Sequence, residues 1–263
     1  MGKNFRIAVL GIGGVGGYFG GKLAAHFADS NEVEIIFIAR GENKKAIKHN
    51  GLKVITNESE IIARPKLVTK EANEIGEVDL LLICTKAYGL EESILKFKDC
   101  IGSQTAILPL LNGVDNFDKI KEILPDADVW KGCAYIASRL IAFGVIKVDS
   151  EIKLLQFGGS QFGNEKPKKF EKLLKSADIN GEAIEDIDKA IWGKFIFISS
   201  LATLTSFLDT NAGGINSSVE NQQLLNDLIG EVTHIAKAKK INVDENIAQM
   251  TFERIKGLSG EIT

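Results

Sequence analysis

The chain has 263 residues, 44% hydrophobic and 25% charged, with a formal net charge of −3. That is enough to bury a large core in two domains, and it leaves no basic field to hold nucleic acid. No apolar stretch approaches the roughly 20 residues that span a bilayer, so no membrane partner is expected. The opening MGKNFRIAVLG lacks a signal-peptide layout. Cys84, Cys100 and Cys133 are odd in number and lack C-x-x-C spacing, which fits reduced thiols in a cytoplasmic protein. His26, His49 and His234 are too scattered for a metal cluster or a Ser-His-Asp set and read as helix or surface residues.

In chain order, Arg6-Ile7-Ala8-Val9-Leu10 is a short apolar run suited to a central parallel strand. It leads at once into Gly11-Ile12-Gly13-Gly14-Val15-Gly16, a G-x-G-x-x-G turn, and Tyr18 to Phe27 reads as the following helix. In this order Gly11 permits the tight turn, Gly13 lets the backbone approach a pyrophosphate, and Gly16 allows close packing of helix on strand. The phosphates of a dinucleotide then meet the free N–H groups at the helix N-terminus. The same segment also reads as a glycine-rich bend without a ligand. Further glycines at 14, 17, 20 and 21 weaken the helix by about 1 kcal/mol each, which fits a helix lying close against a sheet or cofactor.

The next apolar run, VEIIFIAR, ends in Arg40, where an NAD-binding chain carries an acid. A guanidinium there binds a 2′-phosphate in bidentate fashion and stacks on adenine, which leans toward NADPH; an ordinary solvated arginine at a strand end is the plainer alternative. The runs DLLLIC and TAILPLL continue a strand–helix alternation, the mark of a doubly wound parallel sheet, and DVWKGCAYIASRLIAFGVIKVD and EIKLLQFG are read as finishing that sheet. Lys86 and Asn112 follow the carboxyl ends of two of these strands, where open α/β sheets bind ligands. Each also has a plain reading, as a surface lysine and as an Asn-Gly turn.

PKKFEKLLKSADI reads as an amphipathic helix, and from about Asp186 the pattern becomes long helices. The expected fold is α/β: an N-terminal Rossmann-type doubly wound parallel sheet over residues 1–185, followed by an all-helical C-terminal domain over 186–263. The latter is expected to be incomplete.

Taken together, GIGGVGG, Arg40, CTKAY at 84–88, LLNGVDN at 110–116 and IWGKF at 191–195 resemble the ketopantoate reductase (2-dehydropantoate 2-reductase) family, in order and spacing, over nearly the whole chain. The resemblance implies a cytoplasmic oxidoreductase that binds NADPH/NADP and reduces the 2-keto group of ketopantoate to D-pantoate, on the route to pantothenate and coenzyme A. It implies that Arg40 meets the 2′-phosphate, that Lys86 and Asn112 line the cofactor and substrate crevice, and that Lys194 of W-x-K is the general acid. A monomer or homodimer and a small 2-keto acid substrate are implied as well. Without the resemblance, Lys194 reads as a snorkelling helix lysine. An ammonium there stabilises the charge that hydride addition builds on the carbonyl oxygen and then donates a proton.

Two departures bear on the substrate. Many relatives carry asparagines four and eight positions after the lysine, where this chain has Ile198 and Ala202. Ser199 is the polar candidate for substrate contact, although it projects about 140° away from Lys194. Relatives also continue into an S-M-x-x-D-like segment where this chain reaches SGEIT at its end. The alternatives are therefore a related reductase of another 2-keto acid, an opine-type dehydrogenase, or a cofactor-binding chain with impaired catalysis.

Overall fold

The computed structural model describes residues 4–161 and 163–258, and the closing SGEIT lies outside them. The chain divides into two compact units, Met1–Ile187 and Asp188–Thr263. In chain order the first holds β1 (Phe5–Leu10), α1 (Gly14–His26), β2 (Val33–Ile38), α2 (Gly41–Asn50), β3 (Leu52–Ile55), β4 (Glu60–Ala63), β5 (Leu67–Thr69) and β6 (Leu80–Ile83). It continues with α3 (Leu90–Lys96), β7 (Ala106–Pro109), α4 (Asn116–Ile123), β8 (Asp128–Val129), β9 (Lys131–Tyr135), β10 (Ser138–Ala142), β11 (Val145–Val148), β12 (Leu154–Gly158), α5 (Glu165–Ser176) and β13 (Asn180–Ala183). Then come α6 (Ile187–Phe207), α7 (Ala212–Asn216), α8 (Val219–Ala238) and α9 (Ile247–Lys256).

The main sheet runs β5-β2-β1-β6-β7-β8 with every pairing parallel. Counted along the chain, that is the strand order 3-2-1-4-5-6 of dinucleotide-binding folds. Its strands are apolar on both faces because both faces are covered. Ile7, Val9, Phe37, Leu80, Leu82 and Leu108 enter one core layer with Phe19 and Leu23 of α1. Their neighbours Ala8, Leu10, Ile36, Ile38, Leu81, Ile83 and Ile107 enter the opposite layer with Ile94 of α3 and Ile120 of α4. The period of two along each strand makes this division.

The sequence pattern predicts that the segments after residue 130 finish that sheet, and they do not. Only Asp128–Val129 joins it; β9, β12 and β13 form a three-stranded sheet, and β10 and β11 join β3 and β4 in a four-stranded one. Strands β3, β4 and β5 lie in a stretch where the sequence reading names no strand, and all three are only three or four residues long. Short strands have too few alternations to stand out as a pattern.

Helix α1 starts at Gly14 rather than near Tyr18 and lies between two sheets. A Cβ at Gly16 would come within 2.2 Å of the Gly11 carbonyl oxygen, and one at Gly20 would touch Val9 and Phe37 of the main sheet. On the adjoining face a Cβ at Gly14 would sit 2.1 Å from the Ser138 carbonyl oxygen, one at Gly17 2.5 Å from Ile146, and one at Gly21 2.7 Å from Val54. Each glycine costs the helix about 1 kcal/mol. Bringing a core valine, isoleucine or phenylalanine out of water returns about 1.5–3 kcal/mol, so close packing outweighs poor propensity here.

In the second unit α6 is 21 residues long and apolar enough by length and composition to cross a bilayer, a stretch the sequence reading does not count. Asp188, Lys189 and Lys194 interrupt it and hide it from a search for an unbroken apolar run. Trp192, Ile196, Ser200 and Leu204, spaced by four, form one buried stripe along it, the pattern of a helix that turns one face to the protein.

Candidate cofactor and catalytic site

Parallel strands deliver their carboxyl ends to one edge, and hydrogen bonds just beyond the strands keep those ends level. Gly11 N–H donates to Ile38 O at 3.2 Å, Cys84 N–H to Leu10 O at 2.8 Å, and Leu110 N–H to Ile83 O at 2.8 Å. The glycine turn, Arg40, the 84–86 segment and the 110–112 segment therefore leave the sheet side by side. The strand order reverses between β1 and β6, where such sheets bind ligands.

Gly11 has φ +98°, a conformation that a side chain disfavours, and an added Cβ would meet the Cys84 carbonyl at 2.9 Å. Gly13 differs, because a Cβ there would find nothing within 4 Å. It is the N-cap of α1, with no side-chain cap and no acidic residue in the first turn. The first-turn amides of Gly14, Val15 and Gly16, which have no partner within a helix, are thus left to an anion. Beside the turn, the Thr85 hydroxyl is buried without a hydrogen-bond partner. Such a group costs about 1–3 kcal/mol unless something bonds to it. Open space, uncapped amides and an unpaired hydroxyl fit a dinucleotide.

Arg40 is exposed at the N-cap of the ten-residue α2. Among the described residues its guanidinium has no carboxylate partner. Lys86 is exposed, and its carbonyl accepts from Gly89 N–H at 2.9 Å to close a tight helical turn. Asn112 is exposed ahead of Gly113, which has φ +112°. Behind it the buried Asn116 donates to the carbonyls of Leu111 and Asn112 at 3.4 and 3.3 Å and steadies the turn. Asn116 ends LLNGVDN, and nothing in that motif marks it for this role, because its partners are main-chain carbonyls. Under the glycine turn, burial pushes the Cys84 thiol up to about 12, so it is a neutral packing group at physiological pH.

Lys194 and Ser199 belong to the second unit. Lys194 is half-buried on α6. Around it Trp192 packs edge-on against Phe195 at 5.7 Å, and Arg254 of α9 lies over Phe197 at 4.7 Å. Lys189 pairs with Asp244 at 2.6 Å. Of these contacts the Arg254–Phe197 one joins α6 to α9, and the Lys189–Asp244 pair ties the start of α6 to the segment before α9. Ser199 Oγ donates to the Phe195 carbonyl at 2.6 Å, so its proton is spent on its own helix. Among the described residues no group of three His, Cys, Asp or Glu could hold a metal ion.

Known proteins share this fold. The family model described as "Ketopantoate reductase PanE/ApbA" matches residues 7–160, and its C-terminal companion matches residues 186–261. The uncharacterized oxidoreductase YkpB of Bacillus subtilis (strain 168) is 26% identical over 257 residues, covering 97% of this chain and 82% of its own. The crystal structure of 2-dehydropantoate 2-reductase from Porphyromonas gingivalis W83 superimposes with a TM-score of 0.91 at 37% identity, covering 97% of this chain and 90% of that one. D-mandelate dehydrogenase in a ternary structure with NADH and anilino(oxo)acetate gives a TM-score of 0.80 at 24% identity, over 96% of this chain and 79% of that one, a likeness of fold alone.

Proposed function

This chain belongs to the ketopantoate reductase PanE/ApbA family of oxidoreductases, and from that premise we propose that it reduces 2-dehydropantoate to D-pantoate with NADPH. The observation that carries the cofactor half is Arg40, exposed and without a carboxylate partner among the described residues, at the strand end beside the glycine turn. In this reading the amides of Gly14, Val15 and Gly16 hold the pyrophosphate, Gly11, Ile12 and Gly13 shape the turn, and Arg40 binds the 2′-phosphate. Lys86 and Asn112 orient nicotinamide and substrate at the neighbouring strand ends.

The nicotinamide, when bound, supplies the hydride that adds to the keto carbon. Negative charge then builds on the carbonyl oxygen, and the Lys194 ammonium stabilises it and delivers the proton that completes the alcohol. Ser199, bonded back to Phe195, orients its own helix turn rather than substrate, so Asn112 is the polar group we assign to the substrate.

A second reading, reduction of another 2-keto acid, is favoured by Ile198 and Ala202, which put apolar surface four and eight residues past Lys194. An NADPH-oxidation assay over a panel of 2-keto acids decides between them. Turnover with ketopantoate well above the other acids is expected, and turnover of the others without ketopantoate overturns the first reading.

A further inference from the structure

Asn43 lies in the first turn of α2, three residues after Arg40, and its side chain makes two bonds that leave the helix. Nδ2 donates to the carbonyl of Ile12, in the middle of the glycine turn, at 3.0 Å. Oδ1 accepts from the N–H of Gly144 at 2.7 Å. Gly144 sits between β10 and β11 with φ +74°, and its carbonyl accepts from Lys53 N–H at 2.8 Å, at the head of the strand that follows α2. One amide therefore ties three elements together: the helix that starts beside Arg40, the turn that shapes the pyrophosphate site, and a hairpin of the second sheet.

The chemistry at the two ends is opposite, since one partner is a carbonyl and the other an N–H. An amide satisfies both at once. A carboxylate would face the Ile12 carbonyl with a second acceptor, and an alkyl side chain would leave both backbone groups unanswered. Arg40 has no side-chain anchor of its own among the described residues, so its place relative to the glycine turn is set by the backbone of α2. A ligand with a pyrophosphate and a 2′-phosphate gains from both contacts only if their separation is held in advance.

We propose that Asn43 is a positioning residue for cofactor selection: its two hydrogen bonds fix the start of α2 against the glycine turn, so that Arg40 and the pyrophosphate site engage one NADPH together. This rests on the NADPH reading above.

The test is a double-mutant cycle read by equilibrium binding of NADPH and NADH to the full chain and to Asn43→Ala, Arg40→Ala and the double variant. Asn43→Ala is expected to weaken NADPH about ten-fold and NADH by no more than about three-fold, and to add almost nothing in the Arg40→Ala background. A general structural role would lower both dinucleotides by one factor and add in full to Arg40→Ala, and that result overturns the proposal. Arg40→Ala reports separately on the premise: equal loss of both cofactors there removes the NADPH reading, whereas selective loss there with equal loss at Asn43 removes the positioning role alone. Circular dichroism checks folding, and Asn43→Ser, which also cannot bridge the two partners, is read by the same ratio if the alanine variant is unstable.

Discussion

The two units carry function by different means. In the first, the proposed cofactor site is made mostly of backbone: uncapped amides at the start of α1, a turn at positive φ, and strand ends kept level by main-chain hydrogen bonds. In the second, the proposed chemistry rests on one side chain, Lys194, carried by a helix with one buried stripe. A backbone site is specified by where glycines are required, so it leaves a pattern in the sequence. A side-chain site leaves one residue among 32 lysines and arginines.

The contrast can be broken or sharpened by substitution. The largest effect is expected from Lys194→Ala, which should lower kcat by about 10²–10⁴-fold while leaving NADPH affinity nearly intact. An unchanged kcat in steady-state assays would remove it from the mechanism. Arg40→Ala should cost NADPH about 1.5–3 kcal/mol of binding and NADH far less, as for a charge-assisted hydrogen bond. Titration calorimetry with both dinucleotides checks this, and a uniform loss would return Arg40 to the role of a solvated surface residue.

Adjacent glycines supply a finer test. Gly14→Ala drives a methyl to within 2.1 Å of the Ser138 carbonyl oxygen and should destabilise the fold by about 1–3 kcal/mol. Gly13→Ala meets open space, so thermal unfolding should barely move while affinity falls for both dinucleotides. If the two variants exchange behaviours in calorimetry and binding assays, the packing and ligand roles are the wrong way round.

The smallest effect concerns the thiols. Burial raises Cys84 from 9.0 to about 12 and Cys100 from 9.0 to about 11. The folded state thus favours the neutral thiols, a contribution present below about pH 9 and lost as pH rises through about 11 and 12. Alkylation at pH 8, mapped by mass spectrometry, should be slow at both cysteines until denaturant is added. Rapid native labelling of Cys84 would mean that the glycine turn does not seal it.

Much of the first unit was legible because long apolar runs bounded by glycine turns admit few structures. Strand β1, the turn and the Arg40 position follow from residues 6–40 alone, and the parallel sheet follows from its doubly buried strands. Other features were not legible because they depend on partners far apart in the chain. The glycines at 14, 17 and 21 are explained only by Ser138, Ile146 and Val54 of a second sheet, and the Asn43 clamp only by Ile12 and Gly144. Local sequence, through propensity and periodicity, determined which segments are strands, turns and helices around the cofactor edge. Only the tertiary structure decided that the later strands leave the main sheet and close over α1, because strand pairing is a contest between distant edges that no local window contains.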